Sequence, residues 1–140
     1  MDKIDKKKIG RYEIIRELGY GGMAVVYLVR DSQLDRVAAL KLIRKRHFSP
    51  EQSDMMMERF RREAKALAKL NHPNIVNIYD YGEHEGAPYL VMEYLDGITL
   101  KDIQKPISVS AAIGLIRPIA KALDYVHQNG LLHQIGRAHV

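Results

Sequence analysis

A glycine-rich segment at residues 19–23 places the strongest constraint on how the first part of this chain can fold. It separates two runs that favour β-strands, residues 12–18 and residues 24–30, and the second run contains the sequence Val-Val-Tyr-Leu-Val. β-Branched and aromatic side chains fit the pleated surface of a sheet, whereas glycine forms tight turns in which no Cβ intervenes. The segment therefore predicts a β-hairpin with a tight turn that carries few side chains.

Three further runs of residues predict strands. Val37–Ile43 is almost continuously apolar and carries one charge, at Lys41, and residues 75–81 and 88–94 flank a second turn that contains two glycines. Short turns between consecutive strands favour antiparallel pairing. We therefore predict a five-stranded antiparallel sheet.

Two other segments have the spacing of helices. The first begins at Pro50 and ends before residue 71. Its apolar stripe, spaced as one face of a helix, consists of Phe60, Ala64, Leu67 and Ala68. The second covers residues 108–128 and contains Pro118, which predicts an irregularity because proline cannot donate a hydrogen bond within a helix. The order of strands and helices indicates the α+β class.

The composition of the 140 residues is that of a globular chain, with 46% hydrophobic and 28% charged residues. No apolar run approaches the roughly 20 residues of a membrane span, and the charged residues 1–8 are unlike a secretory signal. The absence of cysteine excludes a disulfide scaffold and a thiolate metal site. The net charge of +5 comes from dispersed basic residues without interleaved aromatic residues, so we expect no nucleic-acid partner.

Three features carry chemistry, and each has an ordinary explanation when it is taken alone. Gly19 and Gly21, followed by Ala24, would cradle phosphate through backbone amides, or would form an ordinary hairpin. Lys41 lies within an apolar strand, where a buried charge needs a partner, unless its side chain faces solvent. Glu63 lies near the middle of the first helix, at the edge of the packed face, unless it is simply a solvated charge.

A dinucleotide-binding loop is a second interpretation of the glycines, because G-x-G-x-x-G/A is also the fingerprint of that loop. Such a loop opens a helix whose amino terminus holds the pyrophosphate, whereas the residues after this loop favour a strand. An acidic ribose ligand is expected about 20 residues further on, where this chain has Lys41. The sequence therefore disfavours a dinucleotide-binding oxidoreductase.

The order of glycine-rich hairpin, strand lysine and helix glutamate resembles the amino-terminal lobe of a protein kinase, of the bacterial serine/threonine type. Three further motifs add to the resemblance: His72–Val76 after the helix, Leu90–Gly97 across a hinge, and Tyr125–His133 on the approach to a catalytic loop. The resemblance extends from about Arg11 to His133.

The resemblance implies the fold and the domain organisation. Residues 1–10 would be a charged amino-terminal segment, and residues 11–95 would form the ATP-binding N-lobe, with a five-stranded antiparallel sheet and one helix. Residues 96–133 would form the first helices of an incomplete C-lobe. The fold is then α+β and protein-kinase-like.

The resemblance also implies an ATP site. The glycine loop would cover the phosphates, with Ala24 where many kinases have a third glycine. Lys41 would contact the α- and β-phosphates and would be held by Glu63, so these two are the expected catalytic residues. Val26 and Ala39 would sandwich the adenine ring.

The hinge completes the expected site. Met92 would be the gatekeeper, and the backbones of Glu93 and Leu95 would hydrogen-bond the adenine edge. The full set of residues expected to bind ATP is Leu18, Gly19, Gly21, Gly22, Ala24, Val26, Ala39, Lys41, Met92, Glu93 and Leu95. An apolar column that links the lobes would consist of Leu67, Ile78 and His133.

The sequence departs from the kinase pattern after His133. The family continues with Arg-Asp, a metal-binding asparagine and Asp-Phe-Gly. Residues 134–140 of this chain, Gln-Ile-Gly-Arg-Ala-His-Val, do not match that pattern. Positioning the acceptor hydroxyl and binding Mg²⁺ depend on those groups, so we expect Mg²⁺ only in a complete kinase and an inactive fragment here. Ile135–Val140 is encoded by one frame of the sequencing adapter AGATCGGAAGAGCACACGTC, and we predict that residues 134–140 are adapter read-through.

The sequence thus predicts the ATP-binding part of a protein serine/threonine kinase, with ATP as cofactor and a protein as substrate of the complete enzyme. A non-catalytic lobe that binds nucleotide or a partner is the alternative. We expect a cytoplasmic location for the kinase domain. A membrane anchor would lie only in sequence outside this chain.

Overall fold

Six strands form one antiparallel sheet in the part of the chain that the computed structural model describes, which is residues 7–21, 24–44 and 49–130. The strands are β1 (Lys8–Ile9), β2 (Tyr12–Tyr20), β3 (Ala24–Asp31), β4 (Arg36–Ile43), β5 (Ile78–His84) and β6 (Ala87–Met92). Their order in the sheet is β1-β2-β3-β4-β6-β5. The five predicted strands are confirmed, and β1 is an additional strand that the sequence did not predict, because two residues are too few to show a period of two.

The glycine-rich segment forms the predicted turn between β2 and β3. Tyr20 pairs with Val25 across the two strands, and the N–H of Gly21 donates to the carbonyl of Ala24 at 2.9 Å. Strands β2, β3 and β4 then pair in chain order, as their short connections predict.

Helix α1 (Pro50–Ala68) begins where the sequence predicts. Ser49 Oγ accepts from the N–H of Gln52 at 3.2 Å, and Gln52 Oε1 accepts from the N–H of Ser49 at 3.0 Å. This reciprocal pair satisfies two amides that a helix start leaves without partners. Ala64, in the middle of the predicted apolar stripe, is buried, but Ala68 is exposed because it ends the helix.

Helix α2 (Val109–Gln128) is capped by Ser108, whose Oγ accepts from the N–H of Ala111 at 3.1 Å. The helix runs without interruption through Pro118, so the predicted irregularity does not break it. The ring of a helical proline crowds the carbonyl four residues earlier. Here that residue is Gly114.

The chain divides into two compact units. The first consists of residues 1–68 and 77–94 and holds the sheet and α1, which packs against β5 and β6. The second consists of residues 69–76 and 95–140 and holds a short 3-10 helix, Leu100–Asp102, together with α2. Within it, the Tyr125 hydroxyl accepts from the N–H of Asn71 at 3.0 Å.

The hydrophobic core of the first unit lies on one face of the sheet. Its buried members are Ile9, Tyr12, Val29, Ala38, Leu40, Tyr89 and Val91. Tyr12 Oη donates to Asp80 Oδ2 at 2.7 Å, although β2 and β5 are not neighbours in the sheet. The sheet is therefore curled around this core.

Candidate functional site

The strand register brings five of the sequence-predicted site residues to one face of the sheet. Gly19 lies opposite Val26, and Val26 lies opposite Lys41. Ala39 lies opposite Met92. Residues paired across an antiparallel ladder share a face, and residues two apart on one strand also share a face.

We call this surface the site face, and it spans β2, β3, β4 and β6. The buried core occupies the opposite face, because Leu40 alternates with Ala39 and Lys41 along β4. Ala39 is buried, whereas Gly19, Val26, Lys41 and Met92 are half-buried. These five residues therefore form a partly open surface on which Lys41 is the one charged side chain.

The packing of the described residues gives no reason for glycine at positions 19 and 21. A Cβ added at Gly19 would meet no other atom within 4 Å, and a Cβ at Gly21 would lie 3.8 Å from the Ala24 carbonyl, an ordinary contact. Neither residue has the positive φ that favours glycine, whereas Gly10, Gly86 and Gly130 do. The turn therefore keeps free space that the packing of the described residues does not require.

Lys41 and Glu63 are not joined in this structure, although the resemblance implies an ion pair between them. The Glu63 side chain is 52% exposed, and its Oε1 accepts from Arg59 Nε at 3.1 Å, one turn earlier on α1. The i, i+4 spacing places these two side chains next to each other on the helix surface. This local partner takes the carboxylate that was expected to meet Lys41.

Glu93 directly follows β6, and its backbone N–H already has a hydrogen-bond partner. Its N–H donates to the carbonyl of Asn77 at 2.9 Å, and its side chain accepts from the N–H of Asn77 at 3.3 Å. The expected backbone contact of Glu93 with adenine therefore falls to its carbonyl. Sequence reasoning missed Asn77, because a single asparagine in a loop carries no periodic or motif signal.

The other predicted site residues lie at the ends of elements or outside the description. Leu18 is half-buried in β2, and Ala24 is the first residue of β3. Leu95 belongs to the second unit and is 62% exposed. Gly22 and His133 lie outside the described residues. Leu67 and Ile78 are half-buried in α1 and β5.

A cavity of about 610 Å³ lies elsewhere in the first unit. Its lining includes Val25, Tyr27 and Leu42, which alternate with the residues of the site face. It is therefore separate from the surface that carries Lys41.

The described residues contain no group of three histidine, aspartate or glutamate side chains close enough to hold a metal ion. None of the helices in the described ranges is long and apolar enough to cross a membrane. The residue after the glycine turn begins strand β3 rather than a helix. This geometry removes the dinucleotide-binding interpretation, which needs a helix amino terminus at that point.

Comparisons with known proteins agree with this architecture. The family model for the protein kinase domain matches residues 12–134. Serine/threonine-protein kinase PrkC of Bacillus subtilis is 42% identical over 139 residues, covering 97% of this chain and 21% of that protein. Serine/threonine-protein kinase PknB of Mycobacterium tuberculosis is 44% identical over 136 residues, covering 89% of this chain and 20% of that protein.

A crystal structure of the Mycobacterium tuberculosis PknI kinase domain superposes with a TM-score of 0.74 at 33% identity, covering 92% of this chain and 53% of that one. The chain thus spans about a fifth of the length of these curated relatives and about half of that solved kinase domain. The curled antiparallel sheet, the helix against it and the matched sequence agree. The chain belongs to the protein kinase family, and its curated relatives are bacterial serine/threonine kinases.

Proposed function

We propose that this chain binds ATP on the site face and forms the ATP-binding part of a protein serine/threonine kinase. One observation carries the proposal. Gly19 and Gly21 keep free space that the fold does not need, and Gly19 shares a face with Lys41. A polyphosphate beside a lysine explains both features.

Each site residue then has a chemical role. Gly19 and Gly21 let phosphate oxygens approach the backbone without a Cβ in the way. The ammonium of Lys41 neutralises phosphate charge, and Val26 and Ala39 offer apolar contacts to the side of the adenine ring that faces the sheet. The carbonyl of Glu93 accepts from the exocyclic amino group of adenine.

The Lys41–Glu63 ion pair remains part of the proposal for the ATP-bound protein. It requires Glu63 to leave Arg59, an exposed pair that costs little to break because such pairs contribute about 0–1 kcal/mol. The attraction of Glu63 for Lys41 would then fix the lysine beside the phosphates.

The reaction proposed for the longer protein is phosphoryl transfer from ATP to a serine or threonine of a protein substrate. The names of the relatives, serine/threonine-protein kinases, support this substrate class. Mg²⁺ would neutralise charge on the phosphates, and we assign it no ligand among the described residues. We place the domain in the cytoplasm, where ATP is available.

Isothermal titration of the 140-residue chain with ATP and with NAD tests the binding proposal. We expect ATP binding and no NAD binding. Lys41→Met should abolish or strongly weaken ATP binding, because it removes the ammonium and keeps an apolar stem. Lys65→Met, on the exposed face of α1, is the matched control and should bind ATP like the wild type. Selective binding of NAD, or undiminished ATP binding by Lys41→Met, contradicts the proposal.

A further inference from the structure

An arginine stacks on a tyrosine of another strand at each end of β4. At the carboxyl end, Arg44 Cζ lies 4.0 Å from the centroid of the Tyr20 ring. At the amino end, Arg36 Cζ lies 3.8 Å from the centroid of the Tyr79 ring. Tyr20 ends β2 and directly precedes Gly21, so the first stack joins the end of β4 to the glycine turn.

The Arg44–Tyr20 stack lies on the side of the sheet opposite the site face. Tyr20 pairs with Val25, and Val25 pairs with Leu42, so all three alternate with residues of the site face. Arg44 lies two residues beyond Leu42 and lines the same cavity as Val25 and Leu42. The stack therefore influences a nucleotide only through the backbone of the turn and not through direct contact.

In the described part of the glycine turn, residues 19–21, the backbone is held by the pairing with β3 and by one closing hydrogen bond. Its closing hydrogen bond runs from Gly21 N–H to the Ala24 carbonyl at 2.9 Å. Gly19 and Gly21 contribute no side chains, and the Tyr20 ring is 71% exposed. Because glycine leaves the backbone with the most conformational freedom, a side-chain contact next to the turn has a large effect on where the turn lies.

We propose that Arg44 and Tyr20 are positioning residues for the nucleotide: their stack holds the described part of the glycine turn, residues 19–21, in place beside the phosphates. The stack supplies a cation–π attraction between a planar guanidinium and a phenol ring. This inference rests on the proposed ATP site and adds to it two residues that lie outside the binding surface.

The affinity for ATP tests the proposal in five single variants of the 140-residue chain. Tyr20→Leu and Arg44→Gln should each weaken ATP binding about two- to fivefold, the change that a cation–π contact at an exposed site corresponds to. Arg36→Gln and Tyr79→Leu remove the matched stack at the other end of β4 and should bind ATP like the wild type. Tyr20→Phe retains the ring and should restore most of the affinity that Tyr20→Leu loses.

The double variant Tyr20→Leu/Arg44→Gln separates stacking from charge. If the two residues act as one stack, the double variant binds ATP no more weakly than either single variant. Arg44 carries a positive charge that Tyr20→Leu leaves in place. If Arg44→Gln loses affinity for ATP and Tyr20→Leu does not, the arginine acts through its charge on the nucleotide and not through the stack. That result would overturn the proposal.

Hydrogen exchange of the Gly21 amide, measured by NMR without nucleotide, supplies an independent readout. We expect the exchange rate to rise about two- to fivefold in Tyr20→Leu and Arg44→Gln, and to stay unchanged in Arg36→Gln and Tyr79→Leu. Unchanged exchange in all four variants refutes the positioning role, even if ATP binds. Faster exchange combined with no ATP binding by the wild type retains the stack as the support of the turn but refutes the ATP site and the nucleotide role with it.

Discussion

Asp31 is the residue whose charge contributes most clearly to the stability of the sheet. Its side chain is 2% exposed, and Arg11 Nη2 lies 3.2 Å from its Oδ2. The backbone N–H groups of Gln33 and Leu34 donate to its Oδ1 at 2.9 and 3.1 Å. Burial alone would raise the pKa of Asp31, but these three donors outweigh burial and hold the pKa below its ordinary value.

Asp31→Asn should lower the free energy of unfolding at pH 7 by about 1–3 kcal/mol, because hydrogen bonds to a charged group are lost. The folded-state pKa is depressed, so the stabilisation by the carboxylate is complete above the unfolded pKa of about 4 and is lost as the pH falls through the folded pKa. The difference between wild type and variant in urea denaturation should therefore shrink below about pH 4.

Asp35→Asn is the control for Asp31. Asp35 lies in the same turn, has a side chain that is 75% exposed and pairs with Arg30 on the surface. Its φ of 51° is one that asparagine also adopts. Equal losses of stability in the two variants at pH 7 would show that Asp31 has no special role.

For individual residues, the sequence indicated where the candidate site residues lie on the strands but not which side chains they contact. The motif indicated Lys41 and Gly19, and the register places these two residues on one face. The partner of Glu63 was not predictable in the same way, because it depends on the rotamer of an exposed side chain with Arg59 one turn away. Asn77 likewise had no signal in the sequence.

Among the elements, β5 contains a glycine that the packing demands. A Cβ at Gly82 would lie within 3 Å of the ring and hydroxyl of Tyr89. Tyr89 is buried and packs edge-on against Tyr12, with ring centroids 6.3 Å apart. The ring cannot move aside without disturbing the core that the curled sheet surrounds.

Gly82→Ala should therefore lower the free energy of unfolding by about 1–3 kcal/mol, the cost of overpacking a core. Gly114→Ala in α2 has the opposite expected sign, because open space surrounds Gly114 and alanine is favoured over glycine inside a helix by about 1 kcal/mol. Thermal unfolding followed by circular dichroism compares the two. A neutral Gly82→Ala variant would contradict the packing described for β5.

The periodicity of the sequence predicted which segments are strands and which are helices. Local hydrogen bonds determine where these elements begin and end. α1 begins at Pro50 because Ser49 and Gln52 cap it. β5 begins at Ile78 rather than at residue 75, because the N–H of Ile75 donates to the His72 carbonyl in a turn. Such a turn competes with the apolar run that predicted a longer strand.

For the whole molecule, the candidate site uses strands that are distant in sequence but adjacent in the sheet. Strand β6 pairs with β4 as well as with its chain neighbour β5. The pairing with β4 brings Met92 to the face of the sheet that carries Gly19. Motif order suggested this arrangement through resemblance, and the register supports it for the first unit. The predicted domain boundaries at residues 95 and 133 and the read-through at residues 134–140 stay predictions.

Methyl NMR of the chain during an ATP titration tests the central claim most directly, because Val25 and Val26 are neighbours that lie on opposite faces. We predict shifts in the methyl signals of Val26, Ala39 and Met92 on the site face. The signals of Val25 and Leu42, which line the cavity on the other side, should stay in place. Shifts in the methyl signals of Val25 and Leu42, with those of Val26 unchanged, would contradict the account. They would place the nucleotide on the face of the sheet opposite the site face.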